Sequence, residues 1–159
     1  MQVFTKKDLL DANARSELKS LIDKEISEGL DTSVPRYQSW GPQHHKHSAC
    51  IPLQTLCKKI TDFASELTNK TMFINNCWFV ICREDSDFGF HNHSPEIMSV
   101  VYYLENCNNN GTIFETQYTK LQVLSEDNTA IFFESDIMHC TPKWAGQDRY
   151  SIAFDLVFE

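Results

Sequence analysis

Residues 91–104, "HNHSPEIMSVVYYL", join a pair of metal-binding side chains to a segment of strand-like composition. His91 and His93 stand two residues apart at the end of a short apolar run. On an extended strand, residues at this spacing project from the same face, so both imidazoles could serve one metal ion. The β-branched and aromatic residues at 97–104 are typical of a strand. The stretch therefore predicts a strand next to half of a metal site.

Similar strand-like segments fill the chain after Thr71, separated by Asn, Asp, Gly and Ser residues that favour turns. They are "MFINNCWFVIC" (72–82), "TIFETQY" (112–118), "NTAIFFES" (128–135) and "RYSIAFDLVFE" (149–159). Several of them are apolar on both faces. This pattern indicates a sheet that is covered by helices on one side and by a second sheet on the other.

The first 70 residues show helical periodicity instead. Thr5 and Asp8 resemble a capping box, apolar residues follow at helical spacing from Leu18 to Ile26, and Gly29 is a plausible stop. Pro52 can open a second helix with an apolar stripe. The stripe comprises Leu53, Leu56, Ile60, Phe63, Ala64 and Leu67. Two helices before at least six strands predict an α+β fold, with N-terminal helices packed on one sheet.

We expect one domain over residues 1–159, because this length suits a single hydrophobic core. Residues 1–70 would form a mostly helical buttress, and residues 71–159 a jelly-roll core (a double-stranded β-helix) that carries the site.

Composition narrows the classes of partner. The net charge of −8 argues against a broad phosphate-binding face, so we expect no nucleic acid partner. No apolar run approaches the roughly 20 residues of a membrane span, and "MQVFTKKDLLDANARSE" at the start lacks the apolar core of a signal peptide. The six cysteines include no Cys-x-x-Cys pair, which favours free thiols in a reducing compartment. We therefore expect a cytoplasmic protein without a membrane partner.

A third ligand and an anion receptor can be predicted further along the chain. His139 follows an apolar strand and is the candidate to complete the metal site. Ten residues later, Arg149 and Ser151 share one face of the last predicted strand. The opposite face carries Tyr150, Ile152, Phe154 and Leu156. If that apolar face packs under the helices, Arg149 points into the interior, where its permanent charge requires an anion such as a small carboxylate ligand.

The order of these motifs resembles that of the Fe(II)- and 2-oxoglutarate-dependent dioxygenases of the prolyl-hydroxylase type, particularly small bacterial and phage-type members with a His-x-His motif. The resemblance covers about residues 78–158 and includes "SVVYYLEN", "NGTIFE", "AIFFESD" before the distal histidine, and "RYSIAF". It implies hydroxylation of an aliphatic C–H, prolyl or similar, in a peptide or small-molecule substrate. It also implies Fe(II) as cofactor and 2-oxoglutarate as cosubstrate.

The resemblance assigns roles to six residues of this chain. His91, His93 and His139 would bind the metal, and no catalytic residue is implied beyond these ligands. Arg149, Ser151 and Tyr103 would bind the far carboxylate of 2-oxoglutarate.

His93 departs from the usual family pattern, in which this position is Asp or Glu. Three neutral imidazoles should bind Fe(II) more weakly and raise its reduction potential, which leaves catalytic competence open. A His93→Asp change is therefore expected to tighten iron binding. Glu96 is an alternative ligand three residues further on.

Two other functions remain open on the sequence alone. One is a cupin-like metal dioxygenase with three histidines that does not use 2-oxoglutarate. The other is a catalytically silent jelly roll that only binds a metal. The histidines of "QHHKH", His44, His45 and His47, could form a second metal site, but their irregular spacing favours a hydrophilic loop. The sequence fixes neither the substrate nor the oligomeric state.

Overall fold

The computed structural model describes residues 1–28, 36–86 and 88–159. The described helices are α1 (Ala12–Ser27), α2 (Gln43–Lys46) and α3 (Ile51–Thr68). The described strands are β1 (Val3–Lys7), β2 (Arg36–Gln38), β3 (Met72–Cys82), β4 (Phe88–His91), β5 (Met98–Glu105), β6 (Thr112–Glu115), β7 (Lys120–Val123), β8 (Thr129–Glu134), β9 (Met138–Thr141) and β10 (Arg149–Phe158).

The strands form two sheets with antiparallel neighbours. The larger sheet has the order β1-β8-β5-β10-β3-β2, and the smaller sheet has the order β4-β9-β6-β7. Helices α1 and α3 contribute buried side chains to a core against one face of the larger sheet. The predicted α+β arrangement, with helices on one sheet, is thus confirmed. All five segments predicted as strands, 72–82, 97–104, 112–118, 128–135 and 149–159, contain one.

The N-terminal segment differs from the prediction. Residues 3–7 form strand β1, which pairs with β8 at the edge of the larger sheet, so the capping box predicted at Thr5 and Asp8 was wrong. The cap of α1 is Asp11, whose side chain accepts a hydrogen bond of 2.8 Å from the backbone N–H of Ala14. The predicted stop at Gly29 lies outside the described residues.

Helix α3 follows the prediction closely. Pro52 lies in its first turn, where the missing N–H costs no intrahelical hydrogen bond. The six residues of the predicted stripe are buried or partly buried against the larger sheet. The left-handed Asn69 ends the helix.

Strand β10 separates the two sides of the molecule. Tyr150, Ile152, Phe154 and Leu156 belong to the core under the helices. Arg149 and Ser151 project from the other face, as predicted, into the space between the sheets. β10 lies centrally between β3 and β5, so its inward face is enclosed on both sides.

All six cysteines are free thiols, as expected, and five of them are buried. Among the described residues, no helix has the length and apolar composition required to cross a bilayer.

The core under the helices makes a testable contribution to stability. Phe154 is fully buried there, whereas Phe73 on the neighbouring strand β3 is 44% exposed. We expect Phe154→Ala to lower the free energy of unfolding by about 3–5 kcal/mol, because it removes buried apolar surface and leaves a cavity. Phe73→Ala should cost less than about 1 kcal/mol. Chemical denaturation measures both, and equal losses would contradict this placement of the core.

Candidate metal centre

Two histidines on neighbouring strands and a third just beyond one of those strands meet in the space between the sheets. His91 ends β4 and is the cross-strand partner of His139 in β9. His93 lies two residues beyond the end of β4, so the strand geometry expected to align it with His91 does not apply. Its backbone N–H instead donates to the carbonyl oxygen of Ser135 at 2.8 Å, which turns the chain back toward the other two histidines.

The three imidazoles are close enough to share one cation. Ring centroids of His91 and His139 are 4.5 Å apart, and that of His93 lies 5.0 Å from His91 and 5.2 Å from His139. One nitrogen from each ring lies within 4.8 Å of the others. Imidazole binds metals at roughly 2.1 Å, so donors around one ion are up to about 4.2 Å apart. Small ring rotations therefore suffice to place all three nitrogens on one ion.

The hydrogen bonds of the histidines leave the same nitrogen available on every ring. Nδ1 of His91 lies 2.8 Å from the carbonyl oxygen of Gly89, and Nδ1 of His139 lies 2.9 Å from that of Ile137. Nδ1 of His93 lies 3.1 Å from the carboxylate of Asp155. Because these oxygens only accept, each Nδ1 carries a hydrogen, and Nε2 is the nitrogen of each ring that is left to bind a metal. Metal-binding histidines are held in this way, so the residues present fit a metal ion.

Partial removal from water keeps two of these rings in the form that binds metals. Desolvation lowers the pKa of His139 to about 4, and it also lowers the pKa of His91 from its ordinary value. Both rings are therefore neutral near pH 7, and a neutral imidazole is the metal ligand.

The histidines open into a cavity between the two sheets. Its lining includes all three histidines together with Arg149, Ser151 and Thr112. Its apolar lining comes mainly from Trp78, Val80, Phe88, Val101, Phe133 and Ala153. The metal-binding groups and the predicted anion receptor thus share one pocket.

The mouth of this cavity has an aromatic wall. Trp78 stacks on His93 with ring centroids 5.4 Å apart. Trp40 stacks on Trp78 at 6.1 Å and is 74% exposed. The rings form a continuous aromatic series from the histidines to the surface.

Arg149 lies in this cavity as a buried cation without an acidic partner. The side chain is 1% exposed, and its Nη1 donates to the side-chain oxygen of Asn110 at 2.8 Å. Its Nε has no hydrogen-bond partner, and no carboxylate of residues 1–28, 36–86 or 88–159 forms an ion pair with it. A buried guanidinium in this state is costly unless an anion binds it. Ser151, also buried, lines the same cavity.

Tyr103 lies behind the cavity wall. Its hydroxyl is 2.7 Å from the hydroxyl of Thr112, which itself lines the cavity, and its ring centroid is 5.5 Å from Cζ of Arg149. Burial raises the pKa of Tyr103 to about 12, so the phenol stays protonated.

Three polar side chains of the site escaped the sequence-based prediction. Asp155 could have been found, because it continues the inward-facing series of Arg149 and Ser151 at a spacing of two. Asn110 lies in a loop and Thr112 begins a strand, and their spacing offers no comparable signal.

The other candidate ligands lie elsewhere. A side-chain oxygen of Glu96 accepts a hydrogen bond of 2.8 Å from Asn75, and the clustered metal-binding groups in the described residues do not include Glu96. The loop predicted at "QHHKH" is instead the short helix α2, followed by His47. Within the described parts of the chain, His44, His45 and His47 form no metal-binding cluster.

No protein-family model and no curated protein sequence matches this chain. Solved structures do match it. An oxidoreductase of the 2OG-Fe(II) oxygenase family from Burkholderia pseudomallei is 15% identical, with a TM-score of 0.72 over 98% of this chain and 84% of that one. A prolyl hydroxylase from Trichoplax adhaerens, in complex with a hypoxia inducible factor peptide, is 16% identical, with a TM-score of 0.73 over 98% and 83%.

HygX from Streptomyces hygroscopicus, with nickel, 2-oxoglutarate and hygromycin B bound, is 9% identical, with a TM-score of 0.68 over 98% of this chain and 82% of that one. These similarities show that the chain has the fold of the 2OG-Fe(II) oxygenases. The resemblance predicted from the motifs is confirmed at the level of the fold.

Metal binding can be tested directly. We expect the protein to bind one divalent ion. Loss of a residue that only hydrogen-bonds to a metal ligand typically weakens metal binding about 10–100-fold. His139→Ala should weaken binding more than this, because it removes a ligand itself. His45→Ala, an exposed histidine of α2, is the matched control and should leave binding unchanged. Competition with a chromophoric chelator measures both. Equal affinities of the two variants would exclude His139 from the site.

Proposed function

We propose that the protein is an Fe(II)- and 2-oxoglutarate-dependent dioxygenase that hydroxylates an aliphatic C–H, prolyl or similar, of a peptide or small molecule. The proposal includes a double-stranded β-helix as its core, residues 71–159, within one cytoplasmic domain of residues 1–159. The observation that supports it most strongly is the shared cavity. Three clustered histidines and a buried guanidinium without an acidic partner among the described residues line the same space.

The proposed roles follow from this arrangement. His91, His93 and His139 hold the metal through Nε2. Arg149 and Ser151 bind the carboxylate of 2-oxoglutarate that is remote from the metal, with one charged fork and one neutral hydroxyl. When bound, Fe(II) and 2-oxoglutarate supply the oxygen activation and the electrons for hydroxylation.

Tyr103 contributes to the same anion site in this proposal, and its hydrogen bond indicates how. The buried phenol and the hydroxyl of Thr112 are hydrogen-bonded to each other, so Tyr103 fixes the direction of a hydroxyl that faces the cavity. Its ring also lies near the guanidinium and supports its position.

The chain's own residues keep the reaction site dry and positioned. Valine, phenylalanine and alanine side chains line the cavity that the histidines share with Arg149 and make it largely apolar. In this apolar environment the charge of Arg149 acts strongly on a bound anion. The hydrogen bonds at each Nδ1 hold the imidazoles in position before the metal arrives.

The substrate enters where the cavity opens to solvent. His91 is exposed there, and Trp40 extends the aromatic wall outward. The proposal leaves room for a peptide or a small-molecule substrate. Two proteins of this fold support this range, since the Trichoplax enzyme is in complex with a peptide and HygX has hygromycin B bound.

A cupin-like dioxygenase that does not use 2-oxoglutarate is a second candidate, and the three-histidine donor set favours it. Arg149 and Ser151 would then hold a carboxylate of the substrate itself.

Anaerobic addition of 2-oxoglutarate to the Fe(II)-loaded protein tests the proposal. Chelation of the cosubstrate should produce a visible metal-to-ligand charge-transfer band. A protein that binds Fe(II) but gives no band would favour the second candidate. A band without succinate formation after oxygen is admitted would favour a catalytically silent protein.

Arg149 provides a prediction specific to the cosubstrate. Arg149→Ala should leave metal affinity nearly unchanged and cost about 2–4 kcal/mol of 2-oxoglutarate affinity, because it removes a buried charged hydrogen-bond donor. Arg15→Ala in α1, across the larger sheet, is the control and should have no effect on either affinity. Titration of the charge-transfer band measures the change. Parent-like cosubstrate affinity in Arg149→Ala would remove that residue from the site.

A further inference from the structure

Asp155 is a buried carboxylate in direct contact with the histidine cluster. It is 5% exposed, and both of its oxygens lie 3.1 Å from Nδ1 of His93. The hydroxyl of Ser99 donates to it at 3.1 Å and is itself 2.9 Å from the hydroxyl of Ser135. In the described part of the chain no lysine or arginine forms an ion pair with Asp155.

Asp155 therefore has the imidazole of His93 as its basic neighbour and no ion pair with a permanently charged side chain of the described residues. A buried carboxylate is costly unless it is paired as well as hydrogen-bonded. Arg149 lies six residues away on the same strand, a distance of about 20 Å at 3.3 Å per residue, so the two charges do not neutralise each other. A metal ion held by Nε2 of His93 would lie across the same imidazole from Asp155.

We infer that Asp155 is a positioning residue that supplies, through His93, the negative charge that a His-x-Asp site obtains from a carboxylate ligand. The inference rests on the proposed metal centre. His93 donates its Nδ1 hydrogen to Asp155 and presents Nε2 to the metal, so the ring carries the effect of the carboxylate to the ion. Where the usual site has a carboxylate bound directly to the metal, this site has His93 as the ligand and the carboxylate of Asp155 behind it. The negative charge is therefore kept near the metal, although it no longer contacts the ion.

The surroundings of Asp155 fit this role. Ser99 and Ser135 hold the carboxylate in place, and Trp78 stacks against the face of the His93 ring at an interplanar angle of 17°. Asp155 thus holds the edge of the His93 ring, and Trp78 covers one face of it. A ligand held in this way loses little conformational freedom when the metal binds.

Asp155→Asn separates charge from shape, because the amide oxygen can still accept the hydrogen of His93. We expect a 10–100-fold loss of Zn²⁺ or Fe(II) affinity in chelator competition, together with a higher Fe(III)/Fe(II) reduction potential. Asp23→Asn, which changes a carboxylate bonded to Tyr150 on the helical side of the larger sheet, is the matched control. Parent-like affinity and potential in a folded Asp155→Asn protein would overturn the inference.

Moving the acid back provides a second test. In the double variant His93→Asp with Asp155→Asn, the site regains one carboxylate, now as a direct ligand. We expect this variant to bind Fe(II) more tightly than Asp155→Asn alone and to recover most of the lost affinity. If Asp155 only maintained local structure, a second substitution at its partner would weaken binding further, and that result would contradict the role of its charge.

Failure of this inference differs from failure of the proposed function. A parent protein that binds no metal at the three histidines would remove both. A parent that binds Fe(II) and gives the charge-transfer band, with an unaffected Asp155→Asn variant, would remove only the role of Asp155.

Discussion

The burial of unlike charges on one face of β10 is the constraint on which the rest of the site depends. Arg149 and Asp155 both project into the space between the sheets, and neither meets an oppositely charged Lys, Arg, Asp or Glu side chain in the described chain. Such a strand is stable only if its other face is strongly apolar, and that face is buried under α1 and α3. The helical layer thus stabilises a strand whose other face carries the charged side chains that line the cavity.

Much of this arrangement could be predicted from alternation along the chain. The period of two in "RYSIAFDLVF" placed Arg149 and Ser151 opposite the apolar residues, and the long strands of the larger sheet have the β-branched and aromatic composition that identifies buried strands. Strands β1, β2, β7 and β9 were not predicted, because segments of three to five residues show little periodicity. In β1, pairing with a distant strand outweighs the local sequence signal for a helix cap, since Thr5 pairs with Ile131 of β8.

The site was harder to predict than the strands. The motif order brought His91, His93 and His139 together correctly, but the reason given for His93 was incomplete, because that residue lies beyond its strand. Hydrogen bonds to Asp155 and the backbone orient the rings, and such contacts depend on three-dimensional placement that sequence spacing does not encode. A site with three imidazoles consequently looks neutral in the sequence, whereas the folded chain places a carboxylate directly behind one of them.

An anomalous-difference map of anaerobic crystals grown with Fe(II) and 2-oxoglutarate tests the central claim most directly. The account predicts one iron peak bounded by Nε2 of His91, His93 and His139, with the far carboxylate of 2-oxoglutarate on the guanidinium of Arg149. Iron bound at His44 or His45, or 2-oxoglutarate bound away from Arg149, would contradict it.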